Sequence, residues 1–318
     1  MNFTRKFNVL ITEEISYSKL IQSLPKLEEF NVCYISDWSK VDSDYKYFSI
    51  RDESTDKLVG AFCLFFSKRK GMLHLSNPPF FQNCGLWIGS QGKNLYYQNS
   101  HQKKVLKSIA EFLSTYNWVN ISFPPECIDM QPFYWEDFVC KVRYTYRLKT
   151  TEFRELNNAS KGLKSSIKAL KSKGISIHQT FDSQANYLLE SSSLQGRKKV
   201  ESDYFKKLLE VLKALETFSV VKAEVNQSAG VSCGVRVGDT FVYLFGGAEK
   251  TEGLSLGTAS LYELISNELE ANLQLIDFEG SMIPGVERYF RSFGAELTPF
   301  YNVTKEPAVL GVKKALNL

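Results

Sequence analysis

Two carboxylates, Asp277 and Glu279, stand two positions apart where a strand-like segment, 273 to 278, runs out. Alternate residues of a strand share a face. If the strand persists to Glu279, both groups lie on one side, placed to take or hold a proton. Glu279 could equally cap or tie the loop that follows. A second candidate is the start of a helix at Gly257-Thr258-Ala259, where free backbone N–H groups could hold an anion, unless the glycine simply shapes the turn. A third is a run of lysines: Lys161, Lys164, Lys168 and Lys171 recur at helical spacing opposite an apolar stripe. Such a stripe is either a solvated face or a grip on phosphates. Metal chemistry has little support, because His74, His101 and His178 are scattered singly and the acids do not cluster at ligand spacing. Gly246-Gly247 and Gly85 to Gly89 lack the lysine pattern of a phosphate loop, and no GxSxG elbow is present.

Elements that could position these groups follow from periodicity. In the first half, strands are expected at 45–51, 57–67, 72–75, 118–123 and 141–149. A helix at about 101–116 carries Val105, Ile109, Phe112, Leu113 and Tyr116 on one face, and a short helix falls near 131–137. The second half should open with a helix at 153–172, with Leu156, Ala159, Leu163, Ile167 and Leu170 as its stripe. Helices near 182–194 and 202–216 come next, then strands at 217–225, 230–237 and 240–246. A helix at 257–271, a strand at 273–278, a helix at 284–292 and a strand at 295–303 complete the chain. Arg154, Lys161, Lys164, Lys168, Lys171 and Lys173 face one acid, Glu155, over the first of these helices.

Composition bounds the class. The chain has 318 residues, 43% hydrophobic and 23% charged, with 39 basic against 35 acidic side chains. That is enough length for two domains and excludes wholesale disorder; a surplus of +4 leaves any phosphate-binding patch local. Six cysteines without CxxC spacing read as buried thiols of a reducing compartment. With no signal-peptide core and no apolar run long enough to span a bilayer, a cytoplasmic location is expected.

The two halves repeat. Ile121-Ser122-Phe123 and Ile276-Asp277-Phe278 each close a strand, and Phe138 and Phe293 follow their partners at the same separation. Each half reads as antiparallel strands, helix, strand, short helix, strand. The chain therefore reads as an α+β protein of two copies, with domains at 1–150 and 151–318, the second expected to hold the active site because Ser122 and Pro124 replace its acids in the first.

This order, with Phe278-Glu279-Gly280-Ser281-Met282-Ile283-Pro284-Gly285-Val286 and Phe290-Arg291-Ser292-Phe293-Gly294-Ala295, resembles the tandem GNAT proteins of bacteria, relatives of the Fem-type aminoacyl transferases. The Pro78-Pro79-Phe80 loop and the lysine-rich helix resemble matching parts of that family. The resemblance implies two tandem GNAT-like domains, each a mostly antiparallel twisted sheet flanked by helices. It implies an acyl-CoA co-substrate and no metal, with an amine acceptor attacking the thioester directly. The strand ending Phe245-Gly246-Gly247 would meet the pantetheine arm, and Gly257 and Thr258 the phosphates. Glu279, and after it Asp277, would serve as base, Tyr289 would serve the leaving thiolate, and Lys161, Lys164 and Lys168 would grip the nucleotide-bearing donor. Two alternatives stand beside this: transfer from aminoacyl-tRNA, as in Fem-type enzymes, and a catalytically degenerate binding protein.

Overall fold

A computed structural model describes residues 9–24, 31–172, 174–194, 199–269, 273–280 and 282–307. The chain divides into two compact units: unit 1 runs to Arg143 and resumes at Pro299, and unit 2 is Tyr144–Thr298.

Unit 1 is built on β1 (Leu10–Ile15), β2 (Tyr45–Asp52), β3 (Leu58–Arg69) and β4 (Met72–Ser76), antiparallel neighbours in chain order. A helix, α1 (Tyr17–Ser23), follows β1, and a two-residue strand, β5 (Trp87–Ile88), pairs with β3 at Gly60 and Ala61. After α2 (Leu95–Ser114), β6 (Val119–Ser122) joins parallel to β4, with Leu75 opposite Val119. The short α3 (Gln131–Trp135) leads into β7 (Val139–Lys149). The α2 face Val105, Leu106, Ile109, Ala110 and Leu113 is fully buried with Phe48, Ile50, Phe62, Leu75 and Ile121. Each large side chain so buried contributes about 1.5–3 kcal/mol.

Unit 2 takes up β7 from Tyr144. It adds α4 (Thr150–Glu155), α5 (Lys161–Ser172), β8 (Ser176–His178), α6 (Ser183–Ser193) and α7 (Lys199–Lys213). The meander β9 (Phe218–Val225), β10 (Ser228–Val237) and β11 (Thr240–Ala248) follows, then α8 (Leu256–Glu268), β12 (Leu275–Asp277) and α9 (Pro284–Ser292). Its sheet runs β8-β9-β10-β11-β12-β7, antiparallel except for the β11/β12 pair. Its core gathers Leu163, Ile167, Phe241, Leu261, Leu264, Ile276, Phe278 and Phe293. Phe278 and Phe293 touch with ring centroids 5.5 Å apart, while in unit 1 Phe133 bridges the matching Phe123 and Phe138.

Two expectations are corrected. The helix at 153–172 is two helices, because Leu156 adopts φ +50° as the left-handed end of α4. A new start follows at Ser160, whose Oγ accepts the Leu163 N–H at 3.1 Å. α2 begins at Leu95 rather than near 101, capped by Asn94. The last strand, β13 (Glu296–Lys305), passes at Pro299 out of unit 2 and into unit 1, where Asn302 pairs opposite Ser122. The division therefore falls within β7, between Arg143 and Tyr144, and unit 1 is not one continuous segment.

Lys173 and Ser281, and the Lys171 side chain, lie outside the described residues. All six cysteines are free thiols, and all but Cys140 are buried. Among the described residues no helix is long and apolar enough to cross a membrane, and no group of three His, Cys, Asp or Glu is placed to hold a metal ion.

Candidate active site

β11 and β12 run together only from Thr240 to Val242, opposite Leu275 to Asp277. β12 then stops while β11 continues to Ala248, so backbone beyond Val242 has lost its neighbour on that side. A bulge sits at the parting point. Tyr243 pairs with Gly234 and Phe245 with Cys233, leaving Leu244 as an extra residue that turns the strand. Two glycines follow where side chains have no room: a Cβ on Gly246 would lie 2.2 Å from Tyr243 Oη, and one on Gly247 2.4 Å from the Leu188 carbonyl oxygen. Ser192 Oγ fastens this end of the strand by donating to the Gly246 carbonyl at 2.7 Å.

α8 begins against the same strands. Ser255 caps it by accepting the Thr258 N–H at 3.4 Å, and the two hydroxyls lie 2.8 Å apart. A Cβ on Gly230 of β10 would come within 2.4 Å of the Leu256 carbonyl carbon, so the first turn rests directly on the sheet. The leading N–H groups of a helix have no acceptor within it and form its positive end. Between this turn, the free length of β11 and α9 is a cavity of about 720 Å³, lined by Gly246, Gly247, Lys250, Gly257, Thr258 and Tyr289 among others. Five of the residues singled out from sequence thus converge. Phe245 does not: its side chain is buried against Phe205, ring centroids 5.0 Å apart.

Tyr289 reaches the cavity from α9, whose first turn carries Pro284. Its Oη donates to the Gly257 carbonyl at 3.2 Å, linking α9 to the start of α8, and burial pushes its phenol above the ordinary value. Tyr243 also lines the cavity, and burial pushes its phenol up as well. Sequence reasoning passed over Tyr243. The one signal available was its position two residues before Phe245 in the strand assigned to the pantetheine arm.

The two acids are placed differently from each other. Asp277 is 5% exposed and fully engaged: it accepts from Thr145 Oγ1 at 2.7 Å, Arg147 Nε at 2.7 Å and the Glu279 N–H at 2.8 Å. Glu279 is half-buried in a turn at φ +53°, so the strand does not persist and the two side chains do not share a strand face. Gly280 must follow it, because a Cβ there would lie 2.3 Å from the Tyr144 carbonyl oxygen at φ +58°. Neither acid lines the cavity. Lys161, Lys164 and Lys168 stand exposed on α5 and do not line it either; Lys164 Nζ donates to the Asn157 carbonyl at 3.2 Å.

Unit 1 has a cavity of about 320 Å³ at the corresponding place, after β5 and beside α2. There the strand is broken: β4 pairs with Phe65 to Arg69 of β3, and β5 resumes at Gly60 and Ala61 after the loop 77–86. The cavity meets α2 at Gln98, which ends its first turn, and at His101 and Gln102 in the next. Burial lowers the pKa of His101, whose Nε2 is buried with no hydrogen-bond partner among the described residues.

No protein-family model matches the chain, and no curated protein matches it in sequence. Solved structures do match. FemX is 11% identical with a TM-score of 0.60, over 92% of this chain and 96% of that one. A tandem GNAT protein from the clavulanic acid biosynthesis pathway is 11% identical with a TM-score of 0.54, over 94% and 99%. L-PGS from Bacillus licheniformis is 12% identical with a TM-score of 0.55, over 92% and 93%. With the diverging strands and the helix that starts beside them in each unit, these likenesses show that the chain has the tandem GNAT fold.

Proposed function

We propose that unit 2 moves an acyl group from an acyl-CoA thioester to an amine by direct attack. The observation that carries this reading is the single cavity that joins the unpaired length of β11 to the exposed start of α8. An extended pantetheine arm can hydrogen-bond along the one, and its phosphates can meet the N–H groups of the other, with Lys250 at the rim adding a positive charge. The chemistry then requires a donor for the departing sulfur and a route for the amine proton. Glu279, half-buried in the turn after β12, is the group we assign to that proton, through water. Asp277 fixes the turn by holding the Glu279 N–H. Tyr289 holds Gly257 in place and so keeps the helix start aligned.

Titration calorimetry with coenzyme A and acetyl-CoA tests the reading. One equivalent per chain is expected, with thermal stabilisation of about 2.7 kcal/mol at a hundredfold excess over Kd. Absence of binding by both ligands overturns it.

The exposed lysine face of α5 favours a second reading, in which the donor is an aminoacyl-tRNA. It requires tRNA binding that weakens steeply with salt and is lost when Lys161, Lys164 and Lys168 are changed to Gln. If neither donor binds, a catalytically degenerate binding protein is what remains.

A further inference from the structure

We propose that Tyr243 donates the hydrogen bond that stabilises the leaving sulfur; this rests on the acyl-CoA reading of unit 2. Tyr243 is the first residue of β11 beyond the last pair with β12, Val242 opposite Asp277, so it stands where the two strands open. The bulge at Leu244 re-aims the strand there. Its hydroxyl lies over Gly246, so close that any Cβ at that position would collide with it at 2.2 Å. The missing side chain is thus what makes room for the hydroxyl beside the strand edge assigned to the pantetheine arm. Its ring is held edge-on against Phe290, centroids 5.8 Å apart. Among the described residues the Tyr243 hydroxyl has no hydrogen-bond partner, whereas that of Tyr289 is committed to the Gly257 carbonyl. Burial keeps the Tyr243 phenol protonated, and therefore a donor, across the physiological range.

The step balances as follows. The amine lone pair forms the C–N bond while the C–S pair withdraws onto sulfur. The proton of the resulting ammonium passes through water to Glu279. A phenol whose pKa lies above that of a thiol keeps its own proton, so Tyr243 stabilises the departing thiolate by hydrogen bonding, and the thiolate is protonated from water on release.

The test needs no knowledge of the acceptor. Coenzyme A is bound to the wild type and to Tyr243→Phe, and the thiol of the bound ligand is titrated by thiolate absorbance. A hydrogen bond to a charged group is worth about 1.5–3 kcal/mol, so the bound thiol should ionise roughly tenfold to a hundredfold less readily in Tyr243→Phe. Desulfo-coenzyme A, which lacks the sulfur, should bind both proteins equally. Gly246→Ala, which displaces the hydroxyl without removing it, should shift the thiol in the same direction and covers the case in which Tyr243→Phe fails to fold. A thiol that ionises identically in wild type and Tyr243→Phe overturns the assignment while leaving the acyl-CoA reading intact. Failure of the wild type to bind coenzyme A overturns both.

Discussion

The two units carry cavities at the same point of the same element order, and they are not equivalent. In unit 2 the strand is unbroken, the helix starts at the cavity wall, and glycines at 246, 247 and 257 keep the wall bare backbone. In unit 1 the strand is cut by the loop 77–86 and α2 overshoots, its residues 95–100 exposed, so that Gln98, His101 and Gln102 present side chains where unit 2 presents N–H groups. What such a fold can bind is thus decided by where one helix begins. The same asymmetry recurs one strand over. Asp277 of unit 2 pairs opposite Arg147 in an ion pair whose carboxylate is buried, and Ser122 of unit 1 pairs opposite Asn302 in a neutral contact at 3.0 Å.

The last difference should give the largest effect. Asp277→Ala leaves Arg147 without its buried partner and is expected to cost about 3–5 kcal/mol, against about 1 kcal/mol for Ser122→Ala. Urea unfolding can separate them, since all four tryptophans, Trp38, Trp87, Trp118 and Trp135, belong to unit 1. Fluorescence should report the second loss, and circular dichroism should report the first; equal losses would erase the contrast.

Next is acid sensitivity. His74 on β4 is 1% exposed, and burial first, then Arg69, lowers its pKa to about 4. The unfolded chain binds a proton near pH 6.5 that the folded chain refuses, so stability is intact above that pH and falls as pH drops toward 4, by roughly 3 kcal/mol. The fluorescence midpoint should show this fall, and His74→Phe should flatten it.

Gly257→Leu sharpens the cavity comparison. The backbone there tolerates a Cβ, 3.4 Å from that of Ala248, but the larger side chain enters the cavity. Coenzyme A affinity should drop about tenfold, roughly 1.4 kcal/mol, while His101→Ala in unit 1 leaves it unchanged. Smallest of all, changing Lys161, Lys164 and Lys168 together to Gln should alter stability by under about 0.5 kcal/mol; a larger loss would show that the α5 face is not simply solvated.

Most of the fold could be read from the chain because its elements are strongly periodic: the β9 to β11 meander, the α8 and α9 spans and the Phe-based repeat all lie close to where pattern placed them. The failures have local causes. Leu156 continues the apolar spacing of α5 yet sits in a left-handed turn, which no periodicity can reveal. The first turns of α2 are exposed on every side, with Leu95, Tyr96 and Tyr97 at 71%, 72% and 56%, so they carry no amphipathic signal. At the site, glycine and helix-start positions were legible because backbone geometry demands particular residues there. Tyr243 was not, since its role depends on a bulge, and a bulge is a property of the pairing between two strands.

The return of residues 299–305 to pair with β6 has a consequence for how the protein comes into being. A nascent chain emerges from the ribosome amino terminus first, and domains made early normally fold while the rest is still being synthesised. Here the partner of Ser122 is Asn302. Unit 1 must hold its sheet one strand short, with an unpaired edge inviting misassociation, until all of unit 2 has been translated, so unit 1, begun before unit 2, is finished after it.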